Sequence, residues 1–184
     1  MPLLEESKTY KPFLYPWAVE KAISHEKVHW GEWEAKLQDD VAQWNNGKLT
    51  DVERNHITQI LRLFTQSDVQ VGTNYLESYI PKFKNNEIRA MLTSFANREF
   101  VHQRSYALLN DTLGLPEEEF SAFLEYQQMA DKIEFMADID VNTQSGLAKA
   151  VARSVINEGM SLFSAFVMLL NYQRTGKMRG MCEI

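Results

Sequence analysis

Ionisable side chains interrupt the apolar stripes of three long helical segments, and this feature most constrains what the chain can fold into. From Ala18 onward, apolar residues recur at intervals of three and four, the period of an α-helix, and strand-like alternation is scarce. The apolar stripe of such a helix faces the core of a bundle. The sequence therefore predicts an all-α bundle that contains ionisable groups in its interior.

The interrupting residues are two groups on one helix and one group on each of two others. Asp68 lies in the first stripe, Glu99 and His102 in the second, and Glu158 in the third, while Tyr106 follows His102 by one turn on the same face. The apolar members of the three stripes are Ile57, Leu61, Phe64, Val71 and Tyr75; Ile88, Leu92, Phe95 and Leu109; and Leu147, Val151, Val155, Leu162, Ala165 and Leu169.

Three carboxylates and a histidine on facing helices indicate a metal site. A buried carboxylate costs several kcal/mol unless it is neutralised, paired or bound to a metal. Too few inward Lys or Arg residues lie on these stripes to pair with Asp68, Glu99 and Glu158. Oxygen-rich ligands with one histidine suit iron or manganese better than structural zinc. We therefore predict that these residues and His102 bind iron, or alternatively manganese.

The Glu-x-x-His motif alone does not identify the site, because three of the four histidines end one. The three copies are Glu26/His29, Glu53/His56 and Glu99/His102. On a helix, residues three apart lie side by side and can reach one ion. Only the third copy interrupts an apolar stripe. The second opens a polar helical turn and is expected to be at the surface.

A different motif competes for the metal chemistry near the N-terminus. His25-Glu26-Lys27-Val28-His29 matches the His-Glu-x-x-His pattern of zinc proteases, in which two histidines on one helical face hold zinc beside a glutamate base. The pattern fixes only three positions, so chance matches are common. We interpret it as a match without a zinc role, and a zinc protease remains the alternative that metal binding can test.

The pattern of breaks predicts the boundaries of six helices in a single domain of residues 1–184. Residues 1–17 carry Pro12 and Pro16 and are expected to form an extended arm. Thr50 and Glu53 form a predicted capping box. The helices are expected near residues 18–29, 33–45, 50–79, 85–112, 117–138 and 145–172.

Composition excludes several classes of function. The net charge of −6 argues against a nucleic-acid-binding surface. Cys182 is the single cysteine, so a disulfide framework is excluded and a reducing compartment, the cytoplasm, is expected. The N-terminus has no signal-peptide pattern, and no run approaches eighteen apolar residues, so no membrane span is expected.

The run Glu99-Phe-Val-His102-Gln-Arg-Ser-Tyr106 closely resembles the Glu-x-x-His-x-Arg-Ser-Tyr signature of the small, radical-generating (beta) subunit of class I ribonucleotide reductase. The resemblance extends over most of the chain. Its supporting segments are Tyr15-Pro16-Trp17-Ala18, His29-Trp30, Phe64-Thr-Gln-Ser-Asp68, Ile156-Asn-Glu158-Gly-Met and Gly176-Lys-Met-Arg-Gly-Met-Cys-Glu-Ile184.

The resemblance implies a ferritin-like bundle with a di-iron or di-manganese centre. Reduced metals and oxygen generate a tyrosyl radical in this family, and the radical equivalent passes to a large subunit that makes deoxyribonucleotides. Asp68, Glu99 and His102 would bind the first metal, Glu158 the second, and Glu99 would bridge them. Tyr106 would carry the radical, and the Trp of His29-Trp30 would lie on the transfer route. A homodimer is also implied.

The chain departs from the family pattern after Glu158. The family has a second Glu-x-x-His motif downstream, and none occurs between Glu158 and Ile184. Four of six expected ligands are therefore present. We expect a C-terminally truncated, incomplete bundle without the last metal-binding helix. Three explanations are open. The gene is split and a second polypeptide supplies the missing helices, or the chain is a truncated fragment of a normal subunit, or it is a catalytically silent form with a different, reduced function.

Overall fold

Helices account for the regular structure throughout the part of the chain that the computed structural model describes, residues 2–184, and no strand occurs there. The α-helices are α1 (Pro16–Lys27), α2 (Gln38–Asn45), α3 (Asp51–Thr73), α4 (Ile80–Lys82), α5 (Asn86–Leu113), α6 (Gln127–Ala137), α7 (Gln144–Ile156) and α8 (Phe163–Leu170). Two π-helical segments extend them, Asn74–Tyr79 between α3 and α4 and Asn157–Leu162 between α7 and α8. Short 3₁₀ turns comprise Pro2–Leu4, Glu32–Glu34, Glu117–Phe120, Ala122–Glu125, Asn171–Thr175 and Met181–Glu183.

The long helices α3 and α5 pack against each other at the centre of the bundle, and α1 packs on α5. Thr50 caps α3 as predicted: its Oγ1 accepts a hydrogen bond from the Glu53 N–H at 3.2 Å, and the Glu53 carboxylate accepts one from the Thr50 N–H at 2.8 Å. Asn85 caps α5 by accepting from two backbone N–H groups. Gly114 ends α5 in the left-handed region, at φ 72°.

Two apolar clusters hold the bundle together. The larger joins α3, α5, α8 and the C-terminal turn, and its fully buried members include Ile57, Leu109 and Met178. The smaller joins α1, the start of α5 and α7, around Ala18 and Ile88. The apolar stripes predicted for α3 and α5 therefore form the core.

Two predicted helices are shorter in the structure than in the sequence pattern. The helix expected over residues 117–138 is wrong in its first half, where Glu117–Phe120 and Ala122–Glu125 form 3₁₀ turns. Arg62 on α3 explains the change, because its guanidinium pairs with Glu119 and donates to the hydroxyl of Tyr126. These contacts favour a turn over a straight helix. The helix expected from residue 33 begins only at Gln38, after the turn Glu32–Glu34.

The stripe predicted to be buried on α7 is mostly open. Leu147 is half-buried, while Val151 and Val155 are 43% and 66% exposed. The cause is that Ala150 is the one buried residue of α7, whereas the side that carries the two valines lines an open cavity opposite Leu92 and Phe95. Further along, Leu162, Ala165 and Leu169 are buried as predicted.

One helical stretch in the structure departs from the expectation that no segment could span a membrane. The continuous helical stretch Gln144–Thr175 is long and apolar enough, by length and composition, to cross a membrane, and 22% of its most apolar window is buried. This is weak evidence for a span, because core helices of globular proteins satisfy the same two criteria.

Candidate metal centre

Three of the four predicted ligands converge between α3 and α5. The ligand atoms of Asp68, Glu99 and His102 all lie within 4.8 Å of one another, and within residues 2–184 no other group of three His, Cys, Asp or Glu side chains meets this limit. His102 Nδ1 lies 3.5 Å from Glu99 Oε2 and 3.8 Å from Asp68 Oδ2. We call these three residues the metal cluster.

The helix pairing explains why the metal cluster forms. Glu99 and His102 are three residues apart on α5, so they lie side by side on the face that meets α3. Asp68 lies on the facing side of α3, where Gln103 Nε2 donates to its backbone carbonyl at 3.0 Å. One turn away from Asp68, the ring of Phe64 packs 5.2 Å from that of Tyr106, which fixes the register of the two helices.

The carboxylates of the site crowd one another without a compensating cation. Burial, and then the charges of Glu99 and Glu158, raise the pKa of Asp68 to about 7. Burial and the charge of Glu99 likewise raise the pKa of Glu158 to about 7. Burial lowers the pKa of His102, but the hydrogen bond and charge of Glu99 and the charge of Asp68 outweigh it, so that its pKa is raised.

The donor set fits a metal cation. Asp68 Oδ2 is buried and makes no hydrogen bond with any group of residues 2–184, a state that costs free energy unless a ligand satisfies the oxygen. A divalent cation among Asp68, Glu99 and His102 would satisfy that oxygen and remove the repulsion between the carboxylates. Oxygen ligands with one imidazole match the preferences of iron and manganese.

Glu158 lies beside the metal cluster rather than within it. It is half-buried in the π-helical segment Asn157–Leu162, and the charges of Glu99 and His102 both affect its pKa. Short π-helical segments are frequent at functional sites because the wider turn redirects side chains. The structure thus brings three predicted ligands into one group and places Glu158 next to it.

The two residues predicted for radical chemistry both adjoin the metal cluster. Tyr106 is 5% exposed, and burial, followed by the charges of Asp68 and Glu99, raises its pKa well above its ordinary value. Trp30 stacks on the imidazole of His102, with ring centroids 6.0 Å apart and planes at 28°.

Sequence reasoning missed Arg98. The residue is buried on α5, donates hydrogen bonds to the carbonyls of His25 and Val28, and lies with its guanidinium carbon 5.9 Å from the ring centroid of Trp30. A signal was present in the sequence, because Arg98 lies four residues before His102 and therefore on the helix face that carries a predicted ligand.

The His-Glu-x-x-His match does not assemble a metal site. α1 ends at Lys27, so His29 lies beyond the helix and is exposed. His25 Nδ1 is hydrogen-bonded to Ser94 Oγ at 2.9 Å, and its imidazole contacts the ring of Phe95 edge-on. The two histidines therefore do not share a helical face.

The Glu53–His56 pair is less exposed than predicted. Both residues are half-buried, because the C-terminal turn packs over the start of α3. Lys177 Nζ donates to Glu53 Oε1 at 2.6 Å, and His56 Nδ1 lies 2.9 Å from the hydroxyl of Tyr172. The pair is satisfied by these protein groups.

The fold and the metal cluster together define a helical-bundle protein with a carboxylate–histidine candidate metal centre. The family model described as "Ribonucleotide reductase, small chain" matches residues 7–184. The chain belongs to that family, which implies a metal centre and agrees with the resemblance drawn from the Glu99–Tyr106 segment.

Curated relatives carry the corresponding names. The chain is 38% identical over 200 residues to a probable ribonucleoside-diphosphate reductase small subunit of Invertebrate iridescent virus 3, and 39% identical over 199 residues to one of Invertebrate iridescent virus 6. These alignments cover 99% and 100% of this chain and 53% and 55% of the relatives. The chain therefore spans about half the length of the curated relatives it matches.

Solved structures share the fold. A ribonucleotide reductase R2 subunit from Clostridium botulinum superposes with a TM-score of 0.86 over 96% of this chain and 57% of its own. A putative class I ribonucleotide reductase from Bacillus halodurans superposes with a TM-score of 0.82 over 90% of this chain and 61% of its own. Both are 22% identical to this chain, so they establish its ferritin-like fold.

Proposed function

We propose that this chain works in the radical-generating small subunit of a class I ribonucleoside-diphosphate reductase. The observation that carries the proposal is the convergence of Asp68, Glu99 and His102 within 4.8 Å, with Tyr106 buried one turn further along α5. The names of the viral relatives support the same activity for a subunit that contains this chain.

The ligands divide between two metal positions. Asp68, Glu99 and His102 would hold the first metal, and Glu158 the second, with Glu99 between them because its charge raises the pKa of both neighbouring carboxyl groups. Iron is the proposed metal, with manganese as the alternative for the same oxygen-rich donors. Reduced iron and oxygen would together supply the oxidising power for the tyrosine.

Tyr106 is the proposed radical residue, and its surroundings suit that role. Its raised pKa keeps the phenol neutral, so oxidation removes an electron and a proton together. The rings of Phe64 and Phe166 form an apolar wall on one side, with Phe64 in contact with both other rings. Such a wall keeps water and reductants away from that side of the oxidised ring.

Trp30 and His102 provide a proposed route from the metal centre towards a partner. Their stacked rings join the metal cluster to a half-exposed indole. The partner that would receive the radical equivalent is the large, catalytic subunit of the reductase.

The remaining donors to the second metal are assigned to a helical segment that is not among residues 1–184. A second polypeptide that packs on the open side of α7 would provide it, and the exposed Val151 and Val155 give that side its apolar character. We also propose a homodimeric subunit and a cytoplasmic location, the latter in line with the single unpaired cysteine, Cys182.

Electron paramagnetic resonance tests the proposal. The purified chain, alone and together with the polypeptide that completes the site, is loaded anaerobically with ferrous iron, exposed to oxygen and assayed for iron content. We expect a tyrosyl signal that Tyr106→Phe abolishes without loss of iron. Tyr75→Phe is the matched control, because burial and the charges of Glu158 and Glu99 raise the pKa of this tyrosine as well. A signal that survives in Tyr106→Phe would refute the assignment.

A further inference from the structure

A buried arginine, Arg98, lies against the indole of Trp30. The guanidinium carbon of Arg98 is 5.9 Å from the indole centroid, within the range of a cation–π interaction, and the same indole stacks on His102 at 6.0 Å. Arg98 and His102 are four residues apart on α5, so one helix presents both partners of the indole.

The same guanidinium fixes the chain that carries Trp30. One terminal nitrogen, Nη2, donates to the carbonyls of His25 at 3.5 Å and Val28 at 3.3 Å, which lie at the end of α1 just before the tryptophan. Arginine suits this position because its planar group can donate hydrogen bonds in its plane while its face meets an aromatic ring.

The positive charge of Arg98 has no carboxylate partner. Arg98 takes part in none of the ion pairs formed within residues 2–184, and its Nη1 is buried without a hydrogen-bond partner there. Binding the two carbonyls of α1 needs a donor but not a full positive charge. An uncompensated buried charge is costly. Hydrogen bonding to the two carbonyls therefore does not explain why this position carries a charged side chain.

We propose that Arg98 is a positioning residue for Trp30: it holds the indole against His102 and raises the oxidation potential of that indole. The second effect follows from charge, because removing an electron from Trp30 creates a positive ring next to the guanidinium. The raised potential would hold an oxidising equivalent at Tyr106 until a partner draws it through Trp30. This inference rests on the proposed role of Trp30 in electron transfer.

The experiment measures one-electron oxidation of Trp30 in the metal-free chain, so it does not depend on radical generation at Tyr106. Trp17, Trp33 and Trp44 are replaced by Phe, which leaves Trp30 as the single indole. Photogenerated tris(bipyridine)ruthenium(III) takes one electron from the indole, and transient absorption follows the indole radical cation that forms.

We expect Arg98→Gln, which keeps a donor but loses the charge, to speed this oxidation about tenfold, in line with Coulomb repulsion over the observed distance in a partly screened site. Arg98→Lys, which keeps the charge, should stay within about twofold of the parent. Arg89→Gln is the matched control, because it removes one exposed positive charge from the same helix. Equal rates for the parent and Arg98→Gln would overturn the electrostatic part of the proposal.

A second measurement covers the positioning of Trp30 and does not require the Arg98 variants to fold. Time-resolved fluorescence anisotropy of the parent single-tryptophan chain reports the local rotation of Trp30. We expect the indole to rotate only with the whole protein, since both Arg98 and His102 contact its ring. Fast local rotation in the parent would overturn the proposal, whereas absence of a tyrosyl radical in the iron-loaded chain would count only against the proposed function.

Discussion

The Glu53–His56 pair and the Glu99–His102 pair have the same spacing on neighbouring helices, yet their surroundings differ in every respect that matters for metal binding. Lys177 pairs with Glu53, and this hydrogen bond, with that of the Thr50 backbone, lowers the pKa of Glu53 to about 2. At the metal cluster no lysine or arginine pairs with Asp68 or Glu99 in residues 2–184.

The difference shows that the charges around a Glu-x-x-His motif, rather than the motif itself, decide whether the motif can bind a metal. The first pair is neutralised by the protein and joins the C-terminal turn to α3. The second pair lies next to further carboxylates, so the folded site has an excess of negative charge that a bound cation can neutralise.

Replacing a metal ligand by alanine should distinguish the two Glu-x-x-His pairs most strongly, through its effect on metal affinity. We expect Glu99→Ala or His102→Ala to weaken Mn²⁺ or Fe²⁺ binding by more than about 100-fold, since loss of an outer-shell partner alone costs 10–100-fold. Calorimetric titration measures the affinity. His56→Ala and the double variant His25→Ala/His29→Ala should bind as the parent does. Loss of binding in the double variant would instead favour the zinc-protease interpretation.

The stability of the metal-free chain should fall as pH rises from 5 to 8. Asp68 and Glu158 have folded-state pKa values raised to about 7, against about 4 in the unfolded chain. Their protonated forms therefore stabilise the fold fully at low pH, and this contribution is lost as pH rises through 7. The loss should be on the order of a few kcal/mol. Urea unfolding at each pH measures it.

Two outcomes would sharpen or undo this pH prediction. The double variant Asp68→Asn/Glu158→Gln should have a much flatter profile, because the groups that take up protons on folding are gone. Saturating Mn²⁺ should raise stability most at pH 8, where the carboxylates are ionised. A metal-free profile that rises between pH 5 and 8 would contradict the proposed crowding of carboxylates.

Neutral replacements at the two sites should change the stability of the metal-free chain in opposite directions. Asp68→Asn removes a buried charge and should stabilise the fold by about 1–3 kcal/mol at pH 8. Glu53→Gln breaks a partly exposed ion pair with Lys177 and should destabilise it by about 0.5–1 kcal/mol. Chemical denaturation measures the free energy of unfolding of both variants. A change in this free energy of the same sign in both would contradict the proposed difference between the two sites.

The smallest effect concerns the hydroxyl that satisfies His56. Tyr172→Phe removes the partner of the His56 imidazole and should cost about 0.5 kcal/mol of stability without a change in metal affinity. Thermal unfolding and the same calorimetric titration measure the two quantities. A drop in metal affinity would mean that the C-terminal turn supports the metal cluster as well.

Much of the fold followed from periodicity. The interruption of the apolar stripes located Asp68, Glu99 and His102, because an ionisable residue in a core-facing position has few explanations. The capping box at Thr50 involves residues that are close in sequence, so it could be predicted. The conformation of the first half of the 117–138 segment could not be predicted, since it depends on Arg62, more than fifty residues away.

Long-range packing also explains the other errors. The half-burial of the Glu53–His56 pair depends on Lys177 and Tyr172, which local sequence around α3 does not reveal. The exposure of Val151 and Val155 depends on which side of α7 meets its neighbours, and an apolar stripe alone does not specify that. Arg98 escaped notice because arginine is usually exposed, and its burial follows from the approach of α1 to α5.

Imidazole resonances during a metal titration would show directly whether His102 is the histidine that binds the metal. The chain has four histidines, so the ¹⁵N-histidine spectrum should contain one set of signals each for His25, His29, His56 and His102. With Zn²⁺ as a diamagnetic probe, we expect the His102 signal alone to shift at the first equivalent, and Glu99→Ala to abolish the shift. A shift of His56, or of His25 and His29 together, with His102 unchanged, would contradict this expectation.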